Sequence, residues 1–91
     1  MLSIGMGVVA CAGAPVQEMS NARQAIRAAR DAGAEQRAPE KLTEAETLLD
    51  RAENNLQKRA YRDARRDAIA ARDRAAEALQ QMRSPRPDGS S

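Results

Sequence analysis

Pro39-Glu40-Lys41-Leu42-Thr43-Glu44-Ala45-Glu46-Thr47-Leu48-Leu49-Asp50-Arg51-Ala52-Glu53-Asn54-Asn55-Leu56 is the stretch that decides the fold. Leu42, Ala45, Leu49, Ala52 and Leu56 recur at alternating three- and four-residue steps, with Leu48 beside them. That spacing places them on one face of an α-helix. Proline suits the first turn, where a missing N–H loses no intrahelical bond. Glu40 and Glu44 fall near the positive amino end of this helix, and Lys58 and Arg59 near its negative carboxyl end, as the macrodipole favours.

The same period continues on both sides. Downstream, from about Tyr61 to Met82, one face reads Tyr61, Ala64, Ala68, Ala71, Ala75, Ala78 or Leu79, and Met82. Upstream, from about Val16 to Ala32, the face is Met19, Ala22, Ile26 and Ala29. Pro15 precedes this helix, and Gly33 follows as its expected carboxyl cap. Such stripes can form a coiled-coil seam, but ordinary packing between neighbouring helices is the favoured reading.

The link Gln57-Lys58-Arg59-Ala60 contains neither glycine nor proline. It reads either as a tight turn or as the middle of one long helix. The turn is preferred, because a continuous helix would leave the alanine stripe uncovered. Residues 39–58 carry five acidic and three basic residues, a net of −2; residues 61–83 carry six basic and four acidic, a net of +2. Opposite charge favours packing them side by side, although exposed pairs contribute only about 0–1 kcal/mol each. The expected fold is all-α: an antiparallel helical hairpin with an amino-terminal helix packed against it, between flexible termini.

With 91 residues the chain has room for one small domain. Its only aromatic residue is Tyr61, and its apolar content is dominated by alanine. Alanine buries little area, so folding relies on helix propensity, close backbone approach and a few Leu, Ile and Met. Marginal stability is expected, with weak self-association through the Ala and Leu stripes. The 15 basic and 13 acidic residues are interspersed, which describes a solvated helical surface rather than a nucleic-acid arm. With no histidine and one cysteine, a Cys/His metal site is excluded.

Residues 1–14, MLSIGMGVVACAGA, carry no charge and are too short to span a bilayer, which takes roughly 20 residues. Their length fits the apolar part of a signal peptide. Within them, Val8-Val9-Ala10-Cys11 resembles the lipobox of bacterial lipoproteins. In that family the bond before the cysteine is cut and the thiol carries a diacylglycerol, usually with a third acyl chain on the new amino terminus. The resemblance implies residues 1–10 as signal peptide, Cys11 as the lipidated residue, and residues 11–16 as lipidated cysteine and tether. No basic residue precedes Cys11, so the expected translation start lies upstream. In the enterobacterial members Asp after the cysteine favours inner-membrane retention; Ala12 therefore implies the outer membrane, facing the periplasm.

Three further patterns carry a second resemblance. They are Asn21-Ala22-Arg23-Gln24-Ala25-Ile26, then Ala38-Pro39-Glu40 leading into Leu42, Ala45 and Leu49, then Ala60-Tyr61-Arg62-Asp63-Ala64-Arg65. From Gln17 to about Leu79 the chain resembles the domain-of-unknown-function 4398 family of small bacterial lipoprotein domains. Where that family usually has a Gly-Asp-Tyr-like turn, this chain has Lys58-Arg59-Ala60 before the tyrosine. The resemblance implies a helical cell-envelope protein, residues 17–83 being its Ala-rich domain. Some members carry a peptidoglycan-binding domain downstream, for which these residues are expected to leave no room. Residues 84–91, SPRPDGSS, read as a disordered tail.

Catalysis is not expected. Serines lie at Ser3, Ser20, Ser84, Ser90 and Ser91, away from any plausible base, and a small alanine core provides no wall for a dry pocket. No cofactor is expected beyond the covalent lipid on Cys11. The leading expectation is a membrane-anchored structural or interaction protein. Arg62, Arg65 and Arg66 are its candidate contact for an anionic partner: acidic lipid headgroups, peptidoglycan carboxylates or an acidic envelope protein. The alternative is a soluble Arg-rich helical protein binding nucleic acid or another polyanion. Interleaved Asp63, Asp67 and Asp73, and the lack of an aromatic stacking platform, weigh against it.

Overall fold

The computed structural model of the chain describes residues 13–83. Among them are four helices: α1 (Val16–Asp31), α2 (Ala34–Arg37), α3 (Pro39–Gln57) and α4 (Tyr61–Arg83). Residues 1–12, which hold the expected signal peptide and Cys11, and residues 84–91, the expected tail, lie outside the described residues.

Helices α1, α3 and α4 form an up-down-up bundle. The ion pairs establish the directions. Arg65 near the start of α4 meets Glu18 near the start of α1 at 3.4 Å, so these two helices run parallel. Lys41 meets Glu77 at 3.1 Å and Arg74 meets Glu44 at 3.5 Å, so α3 and α4 run antiparallel. Arg23 meets Glu53 at 3.2 Å, and Arg30 bonds Glu46, so α1 and α3 are antiparallel as well. The residues 57–60 link is therefore a turn, and the hairpin is formed.

That turn closes without glycine. Arg59 N–H donates to the Leu56 carbonyl at 3.0 Å, and Ala60 N–H donates to the Asn55 carbonyl at 2.8 Å. These are the paired bonds of a Schellman motif, which requires a left-handed residue after the cap. Arg59 fills that position with φ of 64°. Gly33 has the corresponding role after α1, with φ of 97° and its N–H on the Arg30 carbonyl at 2.9 Å.

The core is thin. Eleven of the fourteen buried apolar residues are alanine; the others are Met19, Ile26 and Leu42. Ala64, Ala68, Ala71, Ala75 and Ala78 are all buried along α4, the stripe expected from the sequence. Methyl-sized side chains let the backbones approach closely, so dispersion between helices replaces the area that large side chains would bury. Near the 32–38 connection, Ile26, Ala29, Leu42, Ala45, Ala75 and Ala78 form the larger cluster. Met19, Ala52 and Ala68 form a smaller one toward the 58–60 turn, with half-buried Leu56 against it and Leu49 touching both. Within a single copy the alanines of these stripes are covered, whereas Leu48, Leu49, Leu56 and Leu79 stay half-buried.

Two features depart from the sequence reading. The break between the first two long helices contains α2, one turn whose Ala34 is buried with the neighbouring Ala38 in the larger cluster. Gly33 starts it, because a left-handed residue reverses the chain and leaves its carbonyl free for Gln36 and Arg37 N–H at 3.1 and 3.0 Å. The Arg37 guanidinium then donates to the Met82 carbonyl at 3.2 Å, satisfying an acceptor at the end of α4. The second departure is Asp67. Read as surface charge, it is 3% exposed.

Candidate functional site

Asp67 lies three residues after Ala64 and four before Ala71, which turns it toward α3. The antiparallel register brings Asn55 opposite, and its amide Nδ2 donates to Asp67 Oδ2 at 2.9 Å. Arg66 Nε stands 3.8 Å and Arg51 Nη2 4.0 Å from the other carboxylate oxygen. A buried carboxylate is costly unless it is hydrogen-bonded and paired, and these three neighbours meet that need. The arrangement fixes α3 against α4.

The candidate anionic-partner residues lie on the first turns of α4, beside the Asp67 contact. The structure separates their roles. Arg65 is half-buried and engages Glu18 of α1. Arg66 is exposed and engages Asp63 at 3.2 Å, one turn back along its own helix, as well as Asp67. Arg62 is exposed and has no carboxylate partner among the described residues. The other two basic residues exposed at this end with no such partner among the described residues are Lys58 and Arg59, in the turn. Sequence reading placed these two at the end of α3 as dipole partners; the turn gathers them beside Arg62.

A groove of about 380 Å³ runs between α1 and α3, lined by Arg23, Arg27 and Arg30 on one side and Glu46, Leu49 and Asp50 on the other. It forms because both helices pack on α4 more closely than on each other. Arg23–Glu53 and Arg30–Glu46 bridge it, so its walls already neutralise each other. Among the described residues, no group of three or more His, Cys, Asp or Glu side chains converges to hold a metal ion, and no helix is long and apolar enough to cross a membrane.

The fold and this basic end define a small alanine-cored helical bundle. Residues 17–86 match the family described as a domain of unknown function, DUF4398, and the chain belongs to that family. No curated protein and no solved structure gives a significant match.

Proposed function

We propose that the chain is a lipid-anchored bacterial envelope protein whose helical domain has a structural or protein-interaction role and no catalytic activity. The observation that carries this reading is Val8-Val9-Ala10-Cys11: small and aliphatic residues leading into the chain's single cysteine, behind an uncharged segment of signal-peptide length. Cleavage before Cys11 makes it the first mature residue, and a thioether on its Sγ holds the diacylglycerol. One chain binds a membrane only marginally, whereas two or three anchor it stably. Ala12 after the cysteine directs the protein to the outer membrane, periplasmic face.

The domain suits that setting. Only Ala12, Gly13 and Ala14 separate Cys11 from Pro15, whose side chain is fully buried at the start of α1. At about 3.6 Å per residue, Pro15 lies within roughly 14 Å of the anchoring residue. The bundle is therefore carried against the membrane surface, where it meets headgroups, peptidoglycan or an envelope protein.

Intact mass of protein purified from membranes, expressed with its native upstream sequence beside a Cys11→Ala version, tests this. A species beginning at Cys11 with added diacylglycerol and acyl mass, absent from the variant, is the expected result. An unlipidated chain that retains residues 1–10 overturns the anchor and brings the soluble polyanion-binding reading forward.

A further inference from the structure

The parallel course of α1 and α4 puts three things at one end of the bundle. These are the start of α1, next to Cys11 in sequence; the α3–α4 turn; and the first turn of α4. Charge is distributed unevenly there. Glu18 is taken by Arg65, Asp63 by Arg66, Glu53 by Arg23, and Asp67 is buried. Lys58, Arg59 and Arg62 remain exposed without a carboxylate partner among the described residues. At the other end, exposed Arg37 and Arg83 are balanced in number by exposed Asp31 and Glu40, though no ion pair joins them. Val16, 72% exposed, adds an apolar side chain to the basic end.

Two of these cations are placed against the interest of the fold. Arg59 adopts the left-handed conformation that glycine takes without penalty, and a side chain there is strained. Arg62 lies in the first turn of α4, where the macrodipole disfavours positive charge. The negative carboxyl end of α3 favours a positive charge at Arg59 but does not call for arginine in a left-handed conformation, and Arg62 has no such compensation from its own helix.

We infer that Lys58, Arg59 and Arg62 form a docking surface for the anionic headgroups of a phospholipid bilayer, which holds the bundle end-on with this end down and α3 and α4 standing away from the membrane. The orientation rests on the lipid anchor proposed above, since Cys11 is what puts this end nearest the bilayer. The occupant is chosen by that proximity and by charge: a surface of fixed negative charges attracts nearby basic side chains, each strengthening binding about fivefold. Arg65 and Arg66 are excluded, because both are already engaged by carboxylates of the bundle.

The test uses the full chain carrying Cys11→Ala, so that no acyl group contributes. Its co-sedimentation is measured with vesicles of phosphatidylcholine plus phosphatidylglycerol and with vesicles of phosphatidylcholine alone. Binding to the first only, weakened by salt, is expected. Adding Lys58→Gln, Arg59→Gly and Arg62→Gln lowers it roughly a hundredfold, about fivefold for each. Arg59→Gly alone relieves the strained turn, so its loss of binding cannot come from unfolding. Arg83→Gln, at the far end, changes net charge equally and leaves binding unchanged.

Equal binding to neutral vesicles, no binding to either, or the same loss with Arg83→Gln overturns the inference. So does tighter binding to double-stranded DNA than to the anionic vesicles, which assigns the surface to nucleic acid. The mass measurement decides the anchor separately: vesicle binding without lipid on Cys11 removes the anchor and keeps the surface, and lipid without vesicle binding does the reverse.

Discussion

Asn55 and Asp67 join α3 to α4 through one partly buried hydrogen bond of 2.9 Å, the amide of half-buried Asn55 donating to the buried carboxylate. Their neighbours on both helices are mostly alanine, which packs but does not dictate register. A polar pair that is satisfied in one alignment and orphaned in every other supplies the specificity that a uniform small-residue stripe lacks.

Asp67→Ala is expected to destabilise the domain by about 1–3 kcal/mol, because it leaves the Asn55 amide without its acceptor. Asn55→Ala has a comparable cost, since the carboxylate then keeps only its more distant arginine neighbours. The double variant loses less than the sum of the two, the mark of a direct contact. Urea denaturation of the four proteins measures the coupling; strict additivity would contradict it.

Arg59→Gly is expected to stabilise the chain by about 1 kcal/mol, since glycine accepts the φ of 64° without a Cβ penalty and the Schellman bonds remain. For a domain of this size that raises Tm by roughly 4–8 °C. A lower Tm would show that the arginine side chain contributes more to the turn than its backbone costs.

How much of this was legible beforehand differs by residue. Met19, Ala22, Ile26 and Ala29, then Leu42, Ala45 and Ala52, then Ala64 to Ala78 at helical steps are buried as their period required, with Leu49, Leu56, Tyr61 and Met82 half-buried at the edges, because helical spacing is a geometric property of the chain. The missing glycine at the α3–α4 turn was visible too, but not that Arg59 would take its conformation. Asp67 was missed since a carboxylate two residues from Arg65 looks solvated; only its place between Ala64 and Ala71 hinted otherwise. Pairs such as Arg23–Glu53 could not be read, because they depend on which helices become neighbours. Val8, Val9, Ala10 and Cys11 lie outside the described residues and rest on sequence alone.

Ala68→Leu is expected to destabilise by about 1–3 kcal/mol. Ala68 is wholly buried on α4 in the cluster with Met19 of α1 and Ala52 of α3, so added methylenes force the helices apart. Ala76→Leu, on the exposed side of α4, serves as the control and stays within about 0.5 kcal/mol. Thermal unfolding by circular dichroism compares them. Equal effects would mean that the helices do not approach as closely at Ala68 as an alanine seam demands.

The ion pairs that span the α1–α3 groove give the last prediction. Arg23, Glu53, Arg30 and Glu46 have side chains 45, 41, 48 and 37% exposed, so water screens each pair. Glu53→Gln and Glu46→Gln are therefore expected to cost under about 1 kcal/mol each. Moderate salt should lower wild-type stability slightly and the double variant's less, since the screened attraction is already gone from it. Beneath the pairs, buried Ile26 holds α1 by apolar contact, and Ile26→Ala should cost about 2–5 kcal/mol. Denaturant midpoints for the three single variants and the double rank the two kinds of contact. Charge variants as damaging as Ile26→Ala would mean that α1 is held mainly by electrostatics, whereas the opposite order, expected here, puts its attachment in the small apolar seam.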